Sequence, residues 1–91
     1  LIIDNGSDGS TGDQPTYAGK KTKLEKVAEA CGCENVVTCK DVDTGKVLQA
    51  AIDSKKMTII VSKCDSGNIK LPVITMDPVV IRDRFMKAVK A

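Results

Sequence analysis

The chain has 91 residues and a formal net charge of +2, and this length allows one small domain. Basic and acidic side chains nearly balance, so the charge does not indicate a nucleic-acid binder, which would concentrate Lys and Arg on one face. No apolar run approaches the ~20 residues that cross a membrane. We therefore expect neither a nucleic acid nor a membrane as a partner. With one Phe, one Tyr and no Trp, the core must be aliphatic.

The four cysteines lack the paired C-x-x-C spacing that is typical of structural zinc sites, and the chain has no His. They are Cys31, Cys33, Cys39 and Cys64. We expect reduced thiols in a cytoplasmic protein, most of them acting as small buried apolar groups, with a cysteine metal site as the alternative. Because the chain begins inside an apolar run and not with Met, we also expect a fragment whose neighbouring strands lie upstream.

The predicted elements alternate between strands and helices. In chain order they are a buried strand at 1–3, a polar loop at 5–21, a helix at 23–31, a strand at 35–39, a helix from 41–44 to 54–56, a strand at 57–62, an irregular stretch at 63–76 and a helix from Asp77-Pro78 onwards. Thr22 and Glu25 have the spacing of a capping box at the start of the first helix, which Gly32 would end. The last helix carries an apolar stripe formed by Ile81, Phe85, Met86 and Val89.

This order predicts a three-layer α/β fold, with a parallel sheet of about three strands and flanking helices, in a single domain over residues 1–91. The continuous apolar run at 57–62 is typical of a strand that is covered on both faces. Alternating strands and helices favour parallel pairing with right-handed crossovers. The carboxyl ends of the strands then share one edge, where open α/β sheets bind ligands. The loop at 5–21 is predicted to lie at that edge.

Three common binding motifs can be tested in this loop, and none fits. The Walker pattern fails at 19–22, where an extra Lys follows Gly19. The calcium-loop pattern counted from Asp4 has Pro15 where a Glu is required. The glycines at 6, 9 and 12 stand three apart and do not form the dinucleotide fingerprint. The chemistry of the residues leaves open a metal-diphosphate site at the strand end or a flexible polar loop.

The loop also resembles a known family. Residues 1–7 (LIIDNGS) resemble the end of the thiamine-diphosphate-binding motif, and DNGSDGSTGDQPT resembles the same stretch in sulfopyruvate and phosphonopyruvate decarboxylases. Residues 74–78 and 81–86 resemble the C-terminal helix of that group. The resemblance covers nearly the whole chain and identifies it as the C-terminal part of a thiamine-diphosphate-binding domain. It implies a non-oxidative decarboxylase of a 2-keto acid that uses thiamine diphosphate and Mg²⁺, with the cofactor carrying the difficult chemistry.

The resemblance implies two Mg²⁺ ligands, which also belong to the cofactor-binding set. Asn5 matches the second Asn of the motif, a side-chain ligand, and Ser7 matches a main-chain carbonyl ligand. Asp4 replaces the first Asn, as is usual in this subgroup. Asp8 stands where the family has an aromatic residue, which is a departure next to the substrate pocket.

The remaining site residues follow from the same resemblance. Gly6, Gly9 and Ser10 complete the cofactor-binding set, and the turn at Gly9 and Ser10 has amides that approach the diphosphate. Thr11 and Gln14 fall where the loop faces the thiazolium ring and the substrate.

The resemblance assigns no catalytic residue, because the Gly-Asp-Gly half of the motif and the Glu that activates the cofactor have no match here. We therefore expect an oligomer with a pyrimidine-binding domain or subunit as partner, a small 2-keto acid as substrate, and an inactive isolated chain. Lys20, Lys21 and Lys23 fit an anion-attracting patch or, more simply, a solvated helix start. The alternative function is a non-catalytic α/β interaction module or an orphaned half-domain whose sheet edge pairs with another chain.

Overall fold

The computed structural model describes residues 1–72 and 74–90. The elements are β1 (Ile2–Asp4), β2 (Ser7–Asp8), β3 (Gln14–Pro15), α1 (Leu24–Ala30), β4 (Val36–Lys40), α2 (Thr44–Ser54), β5 (Ile59–Lys63) and α3 (Pro78–Lys90). Single 3₁₀ turns lie at Gly9–Thr11 and Asp41–Asp43. Every predicted strand and helix is present with boundaries shifted by a few residues, and β2 and β3 are additions within the predicted loop.

The sheet has three parallel strands in the order β1-β5-β4. In its register, Lys63 at the end of β5 lies opposite Asp4 on β1 and opposite Lys40 on β4. The three carboxyl ends therefore share one edge. The predicted α/β fold class and the predicted common edge are both confirmed.

The helices α1 and α2 lie on opposite faces of the sheet. Successive side chains of a strand point to opposite faces. On β5, the hydroxyl of Ser62 is 2.6 Å from the hydroxyl of Thr44 at the start of α2. The next residue, Lys63, extends towards Glu25 of α1, with 3.7 Å between its Nζ and the carboxylate oxygen. The three-layer arrangement follows from this alternation.

The core is centred on β5. Ile60, Val61 and Ser62 are almost fully buried, and Ala28 of α1 is the other buried apolar residue in the described ranges. The prediction of a buried first strand is wrong for this chain, because Ile3 remains 59% exposed. β1 hydrogen-bonds to β5 on one side and forms an edge of the described sheet. The strand that is covered on both faces is β5, the middle strand of the sheet.

The helix starts differ in how far they follow the predicted capping. At α1 the N-cap is Lys23 and no side chain caps the helix, so the predicted capping box of Thr22 and Glu25 is wrong. Glu25 turns towards Lys63 instead. At α3 the prediction is confirmed, because the Asp77 carboxylate accepts the N–H of Val79 at 2.7 Å.

The predicted apolar stripe of α3 is not buried. Ile81, Phe85, Met86 and Val89 are all exposed, as is every other residue of the helix. An apolar stripe is buried only where a complementary face lies beside it, and within the described ranges no other helix or strand makes an extensive contact with α3. None of the helices in those ranges is long and apolar enough to cross a membrane.

Candidate functional site

The polar loop after β1 forms a small hairpin. β2 and β3 pair antiparallel, with Ser7 opposite Pro15 and Asp8 opposite Gln14. The 3₁₀ turn at Gly9–Thr11 connects the two strands. The bend closes through the N–H of Asp13, which donates to the Asp8 carbonyl at 2.9 Å. We refer to residues 5–16 as the site hairpin, and it stands at the carboxyl edge of the sheet as predicted.

Gly6 is the point at which the hairpin is attached to the rest of the loop. Its φ of +67° lies in the left-handed region that favours glycine. Its carbonyl accepts the N–H of Thr16 at 2.9 Å. Gly19 packs directly on this peptide, since a Cβ added at Gly19 would lie 2.4 Å from the Gly6 carbonyl oxygen. Gly6 is therefore held by close backbone contacts with the far end of the loop.

The two predicted metal ligands lie on either side of Gly6. The side-chain oxygen of Asn5 accepts the N–H of Ser7 at 3.2 Å, and as an amide oxygen it keeps a second lone pair. The N–H of Thr16 donates to the carbonyl of Gly6, so the next pair, Ser7 and Pro15, is a non-hydrogen-bonded pair of the hairpin, and the Ser7 carbonyl receives no ladder hydrogen bond from β3. Amide and carbonyl oxygens are ligands that Mg²⁺ accepts. These two residues therefore fit part of a magnesium site.

The predicted diphosphate turn lies at the tip of the hairpin. Gly9 and Ser10 open the 3₁₀ turn, and Asp8 provides no side-chain cap to its amides. The Asp8 carboxylate instead accepts the hydroxyl of Ser10 at 3.0 Å. The amides at the start of such a turn are free to meet an anion. Asp8 places a negative charge beside them and opposes anion binding at the tip.

The two predicted substrate-side residues are brought together. The Thr11 hydroxyl donates to the Gln14 side-chain oxygen at 2.9 Å, and the Gln14 amide nitrogen donates back to the Thr11 carbonyl at 2.9 Å. Both residues are exposed. This reciprocal pair braces the hairpin tip, and its role towards a substrate stays a prediction.

A group of three charged side chains beneath the hairpin was missed in the sequence analysis. Lys63 donates to the carboxylate of Asp4 at 2.5 Å and lies 3.7 Å from Glu25. The second oxygen of Asp4 accepts the N–H of Gly6 at 3.0 Å. The signal available in the sequence was a Lys after one predicted strand and an acidic residue after another. Their pairing depends on strand order, which the sequence pattern does not specify.

The ion pair between Asp4 and Lys63 shifts the pKa of both groups. The hydrogen bond from Lys63 lowers the pKa of Asp4 below its ordinary value of 3.8; burial opposes this shift, and the Gly6 N–H reinforces it. The hydrogen bond to Asp4 raises the pKa of Lys63 above its ordinary value of 10.5, against the effect of burial. The pair is therefore fully charged over the physiological range.

The lowered pKa of Asp4 predicts how stability depends on pH. A carboxyl with a lowered folded-state pKa stabilises the folded protein above its unfolded pKa, and this contribution is lost as the pH falls through the folded value. We expect the urea midpoint to fall as the pH drops from neutrality to below 3.8, and Asp4→Asn to reduce that fall. The exposed Asp65→Asn is the matched control. An equal pH dependence in Asp4→Asn and in the unmodified protein would contradict this assignment.

The lysines before α1 form a solvated helix start. Lys20, Lys21 and Lys23 are all exposed, and the backbone N–H groups of Lys20 and Lys21 donate to the Tyr17 carbonyl at 3.0 and 2.9 Å. Lys23 also contributes a favourable charge towards Asp4. These contacts favour the interpretation of a solvated helix start over that of an anion-attracting patch.

The four cysteines are free. Cys31 is exposed and the other three are partly exposed, so the expectation of mostly buried thiols is wrong. Across residues 1–72 and 74–90, no three His, Cys, Asp or Glu side chains come together as a metal site.

The fold and the hairpin together define a class of site. Oxygen ligands and free turn amides at the carboxyl edge of a parallel sheet are suited to a metal-bound phosphate group. The comparisons with known proteins then give two named relatives. The chain is 39% identical over 90 residues to the sulfopyruvate decarboxylase subunit beta of Methanocaldococcus jannaschii, and 33% identical over 90 residues to the subunit of the same name from Methanococcus maripaludis.

Both alignments cover 99% of this chain and 48% of the relative, so the chain spans about half the length of the curated relatives it matches. No protein-family description and no solved structure matches it. Since the identity extends along nearly the whole chain, the chain is similar to about half of the sulfopyruvate decarboxylase beta subunit. The resemblance found in the sequence is confirmed.

Proposed function

We propose that this chain supplies one side of the Mg²⁺–thiamine diphosphate site in a non-oxidative 2-keto acid decarboxylase. The observation that carries the proposal is the presentation of two oxygens, from the side chain of Asn5 and the backbone of Ser7, at the carboxyl end of β1. The relatives, which are named as decarboxylase subunits, support the same function. By this proposal the chain is the C-terminal part of a thiamine-diphosphate-binding domain.

The roles of the residues follow from their positions. Asn5 and Ser7 hold Mg²⁺, and Gly6 between them takes a left-handed backbone conformation that favours glycine. The amides of Gly9 and Ser10 donate to the diphosphate against the opposing charge of Asp8, while Thr11 and Gln14 line the substrate side. When bound, the cofactor supplies the electron sink that lets CO₂ leave a 2-keto acid. The chain itself binds and orients the cofactor.

The substrate and the partner are part of the proposal. The relatives are named for sulfopyruvate, so a three-carbon 2-keto acid with a sulfonate group is the first substrate to test, and phosphonopyruvate is the second. The relatives are also named as beta subunits, which supports an oligomer with a second subunit. We propose that the second subunit contributes the pyrimidine-binding side and the acid that activates the cofactor. We also propose that the assembled enzyme is located in the cytoplasm.

The test is a CO₂-release assay on the complete protein that contains this chain, mixed with its partner subunit. We expect CO₂ release from sulfopyruvate or phosphonopyruvate that requires both thiamine diphosphate and Mg²⁺. Omission of either one, or of the partner subunit, should abolish it. Release of CO₂ that persists after the cofactor and metal have been removed by dialysis would contradict the proposal.

A second candidate function is an interaction module, and one observation favours it. The edge strand β1 exposes Ile2 and Ile3, and an exposed apolar edge strand is a template for pairing with another chain. The complete protein would then assemble through this edge and bind no cofactor. A stable monomer in a solution mass measurement would argue against this candidate.

A further inference from the structure

Lys63 connects the central strand to the site hairpin through the side chain of Asp4. It is the last residue of β5 and lies opposite Asp4 in the sheet register. Its ammonium group donates to one carboxylate oxygen, and the other oxygen accepts the N–H of Gly6. The Asp4 side chain is only 5% exposed. Since both oxygens are engaged, Asp4 cannot rotate without losing one of these bonds.

The Gly6 residue is where this connection reaches the site. Its N–H belongs to the peptide unit that follows Asn5, and its carbonyl belongs to the unit that precedes Ser7. The N–H is held by Asp4, and the carbonyl by the N–H of Thr16. Fixing both groups fixes the backbone that carries the two oxygen ligands.

We propose that Lys63 is a positioning residue for the site hairpin: through Asp4 it holds the Gly6 peptide, and with it Asn5 and Ser7, in the arrangement that binds Mg²⁺. The effect on metal binding rests on the function proposed above. The hold on Gly6 rests on the hydrogen bonds alone.

Glu25 explains why the charge of Lys63 matters and not only its length. The carboxylate of Glu25 lies 3.7 Å from the ammonium group, and its Oε2 is buried without a hydrogen-bond partner among the described residues. Lys63 thus stands between two carboxylates. A neutral side chain in its place would leave the buried charge of Asp4 and the partly exposed charge of Glu25 without this partner, so that Asp4 would turn towards solvent and release Gly6.

The first test measures the Mg²⁺ dependence of cofactor binding by calorimetry in the complete protein with its partner subunit. In Lys63→Met, we expect the half-saturating Mg²⁺ concentration to rise about 10- to 100-fold, as for other groups that orient a metal ligand. High Mg²⁺ should restore binding. Lys63→Arg keeps the charge and the donor and should largely rescue the defect.

Two lysines serve as matched controls. Lys40→Met removes a charge from the same edge of the sheet, and Lys26→Met breaks the exposed 2.7 Å ion pair with Glu29. Neither should change the Mg²⁺ requirement. An unchanged requirement in Lys63→Met, or an equal change in Lys40→Met, would overturn the proposal.

A second readout does not depend on the cofactor. Without any ligand, hydrogen exchange of the Gly6 amide should be about tenfold faster in Lys63→Met, because the amide loses its fixed acceptor. An unchanged exchange rate would overturn the proposal even if the protein binds no thiamine diphosphate.

If Lys63→Met does not fold, Lys63→Met combined with Glu25→Gln removes the charge repulsion between Asp4 and Glu25. That double variant should fold and keep the defect, and normal Mg²⁺ dependence in it would count against the proposal.

Discussion

Asn5→Ala should nearly abolish Mg²⁺-dependent binding of thiamine diphosphate in the complete protein with its partner subunit. The amide oxygen of Asn5 is the side-chain ligand offered at the end of β1, and its loss also frees the N–H of Ser7. We expect affinity to fall by about 100-fold or more, because a direct ligand should contribute more than the 10- to 100-fold of an outer-shell partner. Isothermal calorimetry at fixed Mg²⁺ measures the change.

The matched control for this variant is Asn35→Ala. Asn35 lies just before β4, at the opposite edge of the sheet, where its side chain donates to the Met57 carbonyl at 3.3 Å. Its removal should leave cofactor affinity unchanged. If Asn5→Ala binds the cofactor as tightly as Asn35→Ala, Asn5 is not a ligand and the proposed metal site is wrong.

Gly19→Ala should weaken both the hairpin and cofactor binding. The new Cβ would lie 2.4 Å from the Gly6 carbonyl oxygen, closer than real Cβ contacts allow, and that oxygen belongs to backbone which cannot move aside cheaply. Overpacking of this kind costs about 1–3 kcal/mol. We expect a loss of this size in the free energy of unfolding, measured with urea. Weaker binding of Mg²⁺ and cofactor should accompany it, since Gly6 lies between the two ligands.

Gly45→Ala is the control for the general effect of replacing a glycine by alanine. Gly45 lies inside α2, and an added Cβ meets nothing within 4 Å. This change should stabilise the protein by about 0.5–1 kcal/mol, because alanine loses less backbone freedom in a helix. A Gly19→Ala variant that is as stable as Gly45→Ala would show that the close approach of the two glycines is unimportant.

The sequence was sufficient for the order of elements and for the edge at which the site lies. The apolar run at 57–62 predicted a strand covered on both faces, which the structure has as β5 (Ile59–Lys63), and Asp77 predicted the start of α3. Burial was predicted less well. The apolar residues of β1 and α3 have the pattern of packed elements but remain exposed. A periodic pattern shows which face of an element is apolar, and it does not show whether a complementary surface lies in the same chain.

The details of the site depended on contacts that are distant in sequence. Asp4 and Lys63 are 59 residues apart and meet because β5 lies beside β1 in the sheet. The capping box at Thr22 and Glu25 follows from local sequence, but the helix begins one residue later, with Lys23 as N-cap, and Glu25 lies beside Lys63. The hairpin was missed because each of its strands has only two residues, which is too short for a periodic pattern.

These features form one continuous arrangement in the molecule. The central strand carries Lys63, Lys63 fixes Asp4, and Asp4 fixes the Gly6 peptide between Asn5 and Ser7. The second anchor of that peptide is its close contact with Gly19. A rigid pair of oxygens is what a magnesium site requires, because Mg²⁺ demands nearly ideal ligand geometry.

The most direct test of the central claim places a paramagnetic ion at the site. In the complete protein with its partner subunit, Mn²⁺ replaces Mg²⁺, and the amide NMR signals of the glycines are followed. We predict that Mn²⁺ with thiamine diphosphate strongly broadens the Gly6 signal and affects Gly32, which follows α1 away from the hairpin, much less. Equal broadening of Gly6 and Gly32, or broadening of Gly6 that does not require the cofactor, would contradict a metal-diphosphate site in this hairpin.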